Sequence, residues 1–444
     1  MRAVQAVNIG YSPKHAIPPR THAPVRRWRA MTGLGLAAAM IGAGAGYVAV
    51  RANQARVPGC DSASRGACQP SAARPRALPA GTALRVRVLD SAKLALSAPT
   101  AIAGTANRIW ITSVTGDSVT SIGWQAGQNP SVLSGSGYAF AGPNAIATSP
   151  LHLWVVNTPN NSITEIDAAT GAEARTITGG FLASPYAIVR SGTALWVSNA
   201  ASDSIVKIDA LTGALLGQFG ESRYGFAKPY AMALAGGRLF VANPGNNSVT
   251  VLNASTGALI TRLDAAAYRF DDPVGVVASQ SALWVANESG NSVTEIDPAT
   301  GRLIRVLSGS GYGFGDPDGM TLASGDLWVL NSLSDSISEI DAGSGKLVAF
   351  RSGASYGLAG PSGITAYKGR LWITNLRANS VTELVLPKPS AAKPASVQYG
   401  GAQMAASRLG PRLIPAGPAP RVSFGRLGLT VTMAALDRSS LLVP

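Results

Sequence analysis

The segment PVGVVASQSALWVANESGNSVTEIDPATGRLIRVL, residues 273–307, decides the fold of this chain. Apolar and polar side chains alternate along two of its runs, as they do in strands that pack on a sheet. Asp297 and Gly301 bracket a turn, because Asp can bond its own backbone and Gly can adopt a positive φ. The segment therefore predicts four short antiparallel strands, at residues 274–278, 283–287, 293–296 and 302–307.

The same unit recurs seven times along the chain. An aromatic residue holds one place in a Leu-Trp-Val-x-Asn motif at intervals of 44 residues, with a single interval of 42: Trp110, Trp154, Trp196, Phe240, Trp284, Trp328 and Trp372. A proline precedes each of them in the same register: Pro99, Pro143, Pro185, Pro229, Pro273, Pro317 and Pro361. Because two residue types keep one period in the low forties, the sequence predicts an all-β fold, a seven-bladed β-propeller of four-stranded antiparallel blades.

The two ends of the repeat are predicted to complete one blade together. The seventh unit ends at Leu386 without a fourth strand, whereas residues 83–89 form a strand-like run ahead of the first unit. We therefore predict that residues 83–89 are the outer strand of the seventh blade. This one-plus-three closure of the propeller, residues 81–386, leaves no free sheet edge between its ends.

The motif resembles a known repeat family. Phe240-Val241-Ala242-Asn243, the run 247–252 and Thr256-Gly257 look like the YVTN-type β-propeller repeat, which is also similar to NHL repeats and to the propellers of streptogramin lyases. The resemblance covers roughly residues 83–386 and implies the fold. It implies little about activity, because these families include binding modules, surface proteins and a few enzymes.

Composition agrees with a turn-rich β protein. The 50 glycines are about 11% of the 444 residues, against a usual value of about 7%. With 46% hydrophobic and 14% charged residues, the chain is too apolar for a disordered protein and too polar for a multi-span membrane protein. Two cysteines exclude a disulfide-dense fold and a cysteine-rich zinc module.

The net charge of +14 is located outside the predicted propeller. Residues 80–386 contain 19 Lys and Arg against 21 Asp and Glu, so this region has a charge of −2, and the two tails together have +16. A folded nucleic-acid-binding domain should have its basic footprint on the domain itself. We therefore predict no nucleic-acid partner.

The amino-terminal region predicts a membrane anchor. Residues 31–50 contain no charge and, at 1.5 Å per residue, would span about 30 Å. We predict a cytoplasmic basic tail at residues 1–30, a single transmembrane helix at 31–50, an extracytoplasmic linker at 51–80, and a propeller outside the cytoplasm. The alternative is a signal peptide cleaved near Val50-Arg51-Ala52, which would make the protein secreted.

The carboxy-terminal region, residues 387–444, opens with a Pro/Ala/Lys-rich linker and has a net charge of +6. Such a composition is typical of a disordered tail, which is what we predict.

Most recurring residues are predicted to build the scaffold. The aromatic series should fill the space between adjacent sheets. The residues Asn157, Asn199, Asn243, Asn287, Asn331 and Asn375 should each bond their own loop backbone. The residues Asp167, Asp209, Asp297 and Asp341 should cap a tight turn.

Function should lie where the blades differ. The first side chains after each proline should ring one mouth of the central channel: Thr100, Asn144, Tyr186, Tyr230, Val274, Asp318 and Ser362. Six of these, all but Val274, are polar or aromatic and are the predicted ligand-binding site for a polar or glycan-like ligand. The alternative is that any propeller mouth is polar because it is wet.

A second candidate surface is the loop that feeds each inner strand. It contains Tyr138-x-Phe140, Tyr224-x-Phe226, Tyr268-x-Phe270, Tyr312-x-Phe314 and Tyr356-x-Leu358. The same pair in five blades favours packing between blades, and the alternative is an aromatic rim for a partner protein.

The sequence offers little support for catalysis. The resemblance to streptogramin lyases implies a channel-facing histidine as general base, but His152, the one histidine of the predicted propeller, lies in a hairpin. A lactonase-type metal site would need several convergent oxygen ligands, and we predict only Asp318 and Asn144 at the mouth, with no glutamate beside them. We therefore predict no catalytic residue, no metal and no cofactor.

These observations predict a monomeric, membrane-tethered, extracytoplasmic binding module for an unidentified envelope protein or glycan. Two alternatives stay open. One is a propeller enzyme of the streptogramin-lyase or lactonase type with its site at the channel mouth, and the other is a structural protein of the cell envelope.

Overall fold

A computed structural model describes residues 81, 83–90, 94–105, 107–125, 127–387, 422–425 and 428–431. The predicted tail at 1–30, the anchor at 31–50 and the linker at 51–80 lie outside these residues. Within them, no helix has the length and apolar character needed to cross a membrane. Residues 85–385 form seven four-stranded antiparallel sheets, so the predicted all-β, seven-bladed propeller is confirmed.

The first three blades follow one another along the chain. Blade 1 consists of β2 (Pro99–Thr105), β3 (Arg108–Ser113), β4 (Ser118–Gly123) and β5 (Ser131–Leu133). Blade 2 consists of β6 (Pro143–Thr148), β7 (His152–Asn157), β8 (Ser162–Asp167) and β9 (Glu173–Thr178). Blade 3 consists of β10 (Pro185–Ser191), β11 (Ala194–Asn199), β12 (Ser204–Asp209) and β13 (Leu215–Phe219).

The next three blades repeat this order. Blade 4 consists of β14 (Met232–Ala235), β15 (Arg238–Asn243), β16 (Ser248–Asn253) and β17 (Leu259–Asp264). Blade 5 consists of β18 (Pro273–Ala278), β19 (Leu283–Asn287), β20 (Ser292–Ile296) and β21 (Leu303–Ser308). Blade 6 consists of β22 (Pro317–Ala323), β23 (Asp326–Asn331), β24 (Ser336–Asp341) and β25 (Leu347–Ser352).

Blade 7 closes the ring in the predicted manner. It consists of β26 (Pro361–Tyr367), β27 (Arg370–Asn375), β28 (Ser380–Val385) and, from the other end of the propeller, β1 (Arg85–Leu89). β1 pairs antiparallel with β28 over five residues, from Arg85 opposite Val385 to Leu89 opposite Val381. The predicted one-plus-three closure is therefore confirmed.

The helical pieces of the described residues are single turns. Four lie in the loops between blades, at Ser136–Tyr138, Ser222–Tyr224, Ala265–Tyr268 and Ala354–Tyr356, and Pro244–Asn246 lies in the hairpin between β15 and β16.

The core lies between neighbouring blades rather than within one sheet. Each aromatic residue of the repeat is at most 3% exposed and packs in a cluster with apolar residues of an adjacent blade. The predicted packing role of this series is therefore confirmed. The Tyr-x-Phe pairs are part of the same packing, because four of them stack with ring centroids 5.2–5.5 Å apart and contact the core clusters.

The asparagines that recur at the end of the second strand form other hydrogen bonds than those predicted. The Asn157 amide donates to the side chains of Ser162 and Thr164 on the next strand, at 3.1 and 2.9 Å, and the same pattern recurs at Asn243, Asn287, Asn331 and Asn375. The predicted bond to the residue's own loop is wrong, because these buried amides face the next strand of their sheet. The Asp turns are as predicted: Asp167 accepts from the backbone N–H groups of Ala169 and Thr170.

A further polar contact, absent from the sequence analysis, joins each blade to the next. An Asp or Asn in the hairpin between the second and third strands accepts the N–H of the residue before the next proline, at 2.6–2.9 Å. The seven acceptors are Asp117, Asn161, Asp203, Asn247, Asn291, Asp335 and Asn379, the last of which bonds Ala98 across the ring closure. All seven have positive φ, which Asn and Asp tolerate better than most residues.

The carboxy-terminal region forms a separate unit, residues 389–444. Its described part is an antiparallel hairpin of β29 (Val422–Gly425) and β30 (Gly428–Val431), to which the sequence analysis assigned no strand. The prediction of disorder for the rest of residues 387–444 concerns residues outside the described ones.

Candidate functional site at the channel mouth

The predicted mouth residues come from the beginnings of the seven inner strands. These strands, β2, β6, β10, β14, β18, β22 and β26, each contact the next around a closed ring. In six of them the pairing with the second strand shifts register directly after the proline, which is a β-bulge. Bulges re-aim side chains, so this irregularity agrees with the prediction that the residue after the proline faces the axis.

Three of the predicted site residues join neighbouring inner strands to each other. The Thr100 hydroxyl lies 3.4 Å from the Asn144 carbonyl oxygen, and the Asn144 amide donates to the Tyr186 carbonyl at 3.3 Å. The Ser362 hydroxyl donates to the Pro99 carbonyl at 3.0 Å. These groups therefore stabilise the ring in addition to lining its mouth. Val274 is buried.

Tyr186 and Tyr230, two more of the predicted site residues, form a pair. Their rings lie 4.0 Å apart between centroids, and the two hydroxyl groups are hydrogen-bonded to each other. Burial raises the pKa of Tyr186 to about 12 and raises that of Tyr230 well above its usual value, and the nearby Asp318 carboxylate adds to both shifts. Both side chains are therefore neutral hydrogen-bonding groups at physiological pH.

Asp318 is the most perturbed carboxyl group of the mouth. Burial raises its pKa to about 7, and the negative charge of Glu288 adds to this shift. Burial also raises the pKa of Glu288, and the carboxylates of Asp272 and Asp316 contribute. Among the described residues, neither Asp318 nor Glu288 has a hydrogen bond or ion pair to its side chain.

Glu288 corrects the sequence analysis, which placed no glutamate beside Asp318. It lies in the hairpin after β19, directly after Asn287, and its backbone N–H donates to the Asp272 carbonyl at 2.9 Å. A signal was present in the sequence: the equivalent positions of the other blades are all uncharged, namely Val114, Thr158, Ala200, Pro244, Ser332 and Leu376. Comparison of the blades at this position would have identified it.

The carboxylates do not form a ready-made metal site. No group of three or more His, Cys, Asp or Glu residues in the described part of the chain is arranged to hold a metal ion. His152 lies at the far end of its blade, where its Nδ1 is 3.1 Å from Glu165 Oε1. The mouth therefore combines neutral tyrosines with carboxyl groups, of which Asp318 has a pKa of about 7, and this set can donate and accept hydrogen bonds.

We expect the stability of the propeller to depend on pH through Asp318. Because its pKa rises from 3.8 to about 7 on folding, the folded state binds the proton more tightly, so this group costs stability progressively from pH 4 to pH 7. Asp318→Asn should remove that cost. A shift of three pKa units corresponds to at most about 4 kcal/mol in the free energy of unfolding. Because Asp318 is partly solvated, we expect the variant to be more stable than the wild type by about 1–2 kcal/mol at pH 8.

Urea denaturation of both proteins at pH 4 and pH 8 measures this effect. The free energies of unfolding of the wild type and Asp318→Asn should be similar at pH 4, and that of the variant should be higher at pH 8. An equal difference at both pH values would show that Asp318 is ionised normally in the folded protein.

Comparison with known proteins supports the repeat and the fold. The family described as "PQQ_2: Outer membrane protein assembly factor BamB" matches residues 201–382, which is less than half of the chain. No curated protein sequence gives a significant match. The resemblance to YVTN-type and NHL repeats stays a prediction.

Several solved structures are similar to the propeller. Virginiamycin B lyase from Staphylococcus aureus, as the selenomethionine-substituted protein, has a TM-score of 0.58 and 18% identity, and the match covers 69% of this chain and 100% of that one. A streptogramin B lyase has a TM-score of 0.58 and 19% identity over 68% and 98% of the two chains. Hydrazine synthase of Kuenenia stuttgartiensis has a TM-score of 0.53 and 18% identity over 65% and 95%. At these identities the similarity concerns the fold alone.

Proposed function

We propose that this propeller is a non-catalytic binding module whose channel mouth holds a polar, hydroxyl-rich ligand such as a glycan. The observation behind this proposal is the group formed by Tyr186, Tyr230, Asp318 and Glu288. Its two carboxyl groups are partly buried and have no partner among the described side chains, so their oxygens are available to a ligand. A ligand hydroxyl would supply the missing donors.

The chemistry of these residues suits a sugar. Tyrosine rings offer an apolar face with a polar edge, and carboxylates accept hydrogen bonds from paired hydroxyl groups. Neutral Tyr186 and Tyr230 can pack against a sugar ring, while Asp318 and Glu288 accept hydrogen bonds from its hydroxyl groups. Because blades 3 to 6 supply all four residues, the proposed site occupies one sector of the mouth.

A glycan array probed with the purified full chain tests this proposal. We expect binding to a subset of glycans that Tyr230→Phe weakens and that the double variant Tyr230→Ala, Asp318→Asn abolishes. Ser362→Ala is the matched control, since its hydroxyl lies at the mouth but bonds the Pro99 carbonyl; it should retain binding. Equal binding by the wild type and the double variant would exclude this sector, and no binding by the wild type would favour a structural envelope protein.

A second candidate is an enzyme acting at the same mouth. Its supporting observation is the pKa of Asp318, about 7, because a carboxyl group that titrates near neutral pH can act as general acid or base. The fold similarity to virginiamycin B lyase suggests virginiamycin B as a first substrate. Incubation of the protein with virginiamycin B, followed by chromatography, tests this candidate. Conversion by the wild type but not by Asp318→Asn would support an enzyme, and no conversion by the wild type would favour the binding module.

We also propose that residues 31–50 tether the protein to a membrane, with the propeller outside the cytoplasm and acting as a monomer. The support is the uncharged run of twenty residues. Alkaline carbonate extraction of membranes separates the possibilities, because an anchored chain stays in the pellet and a chain cleaved near Val50 is released.

A further inference from the structure

A cavity of about 510 Å³ lies between blades 5 and 6, at the end of the blades opposite to the channel mouth. Its lining includes Trp284 and Glu295 of blade 5 and Asp326 of blade 6, with Ser279 and Ser281 among its polar residues. We call it the blade-5 pocket. It is separate from the mouth, because its residues lie at the hairpins where inner strands end rather than where they begin.

The sequence of the repeat explains why the pocket is open. Residue 282, two positions before Trp284, is alanine. In blade 1 the equivalent Arg108 lies over the ring of Trp110, and in blade 7 the equivalent Arg370 lies 2.5 Å from a carboxylate oxygen of Glu383. A long cationic side chain thus occupies this place in blades 1 and 7, whereas blade 5 has the short side chain of Ala282.

Blade 2 provides the closest internal comparison. There Glu165 is buried on the third strand, opposite Trp154, and contacts two cationic or protonatable groups. One is Arg175, which pairs with Oε2, and the other is His152, whose Nδ1 lies 3.1 Å from Oε1. Each carboxylate oxygen of Glu165 therefore has its own partner.

Blade 5 has the same arrangement with one partner missing. Glu295 is buried opposite Trp284, and Arg305 Nε lies 2.6 Å from its Oε2. Arg305 is itself held by the Gly343 carbonyl, to which it donates at 2.9 Å. Because Ala282 stands where blade 2 has His152, Arg305 is the one described residue that forms an ion pair with Glu295.

The opposite wall of the pocket contributes a second acidic group. The buried indole N–H of Trp284 has no acceptor within the described part of the chain, but the same holds for Trp110, Trp154, Trp196 and Trp372, so it is a feature of the repeat and not of the pocket. On the opposite wall, burial and the carboxylates of Glu339 and Asp341 raise the pKa of Asp326 to about 6, so it is still ionised at neutral pH. Glu295 and Asp326 therefore present two carboxylates to a pocket whose described lining contains no cation.

We propose that the blade-5 pocket binds a small organic cation with a guanidinium or primary ammonium group. The cationic group occupies the place that the His152 side chain fills in blade 2, where it contacts the Glu295 carboxylate. The Asp326 carboxylate on the opposite wall balances its charge. A planar guanidinium over the Trp284 ring would also gain a cation–π contact of the kind made by Arg108 in blade 1.

Isothermal titration calorimetry of the full chain with agmatine tests this proposal, since agmatine has a guanidinium and an ammonium group. We expect the wild type to bind agmatine saturably and not to bind pentane-1,5-diol, an uncharged molecule of similar length. Asp326→Asn should weaken agmatine binding about tenfold, as expected for the loss of one charged contact.

The decisive variant is Ala282→Arg, which inserts the arginine that blades 1 and 7 have at this position. It should abolish agmatine binding while the protein keeps its melting temperature, because the new side chain pairs with Glu295. Ala194→Arg, at the same position of blade 3, is the matched control and should bind normally, because Lys207 already lies over Trp196 there.

Three results would overturn the proposal. They are no agmatine binding by the wild type, unchanged binding by Ala282→Arg, and binding that Asp318→Asn abolishes while Ala282→Arg retains it. The last would place the cation at the channel mouth instead.

Discussion

A propeller that lacks residues 85–89 should lose cooperative folding. These residues are β1, the outer strand of blade 7, and their removal leaves β28 as a bare edge. Val86 packs against the core cluster of blades 6 and 7, Leu89 packs against that of blades 7 and 1, and Arg87 lies 3.3 Å from the buried carboxylate of Glu383. Partial burial of these apolar side chains alone is worth on the order of 3 kcal/mol.

The loss should be larger than this because the ring opens. An exposed strand edge pairs with other chains, and a domain is only marginally stable, at about 5–15 kcal/mol. We therefore expect the deleted protein to aggregate, and to unfold at a much lower urea concentration where it stays soluble. Size-exclusion chromatography and urea denaturation followed by tryptophan fluorescence measure both effects.

A relocated strand provides the control. Residues 83–90 attached after Pro387 through a short linker should restore the denaturation midpoint, because the pairing with β28 requires the strand and not its original place in the chain. If the variant that lacks residues 85–89 had the same urea midpoint as the wild type, β1 would contribute nothing to closure of the ring.

Trp372→Ala should be the most destabilising single substitution considered. The side chain is fully buried and packs in a cluster with Ile102, Ile109 and Val381, which joins blade 7 to blade 1. Replacement of a buried tryptophan by alanine removes its burial and leaves a cavity, at a cost of about 3–5 kcal/mol. The urea midpoint at unchanged slope gives this value.

Trp372→Phe is the matched control, because blade 4 has phenylalanine, Phe240, at the equivalent buried position. It should cost far less than the alanine variant. Equal destabilisation by both variants would show that the indole makes a specific contact rather than filling space between the sheets.

The proposed site at the mouth follows from the sequence in part. The position after each proline predicts which residues reach the axis, and among these Tyr186 and Tyr230 are in ring contact, while the charge of Asp318 raises the pKa of both. Glu288 was missed because it arrives from a different hairpin, and only the closed ring brings that hairpin close to Asp318. Thr100 and Ser362 lie at the mouth, but their hydroxyl groups reach carbonyl oxygens of adjacent inner strands, a use that spacing along the chain does not show.

The sequence by itself determined the number of blades, the strands within each blade and the closure by residues 83–89. These features follow from local periodicity and from a repeat register that every unit obeys, so they need no knowledge of distant contacts. The tertiary structure alone decided which polar groups are left without partners. Whether Glu295 or Asp318 is satisfied depends on side chains from other strands and blades, and those neighbours are set by packing around the ring.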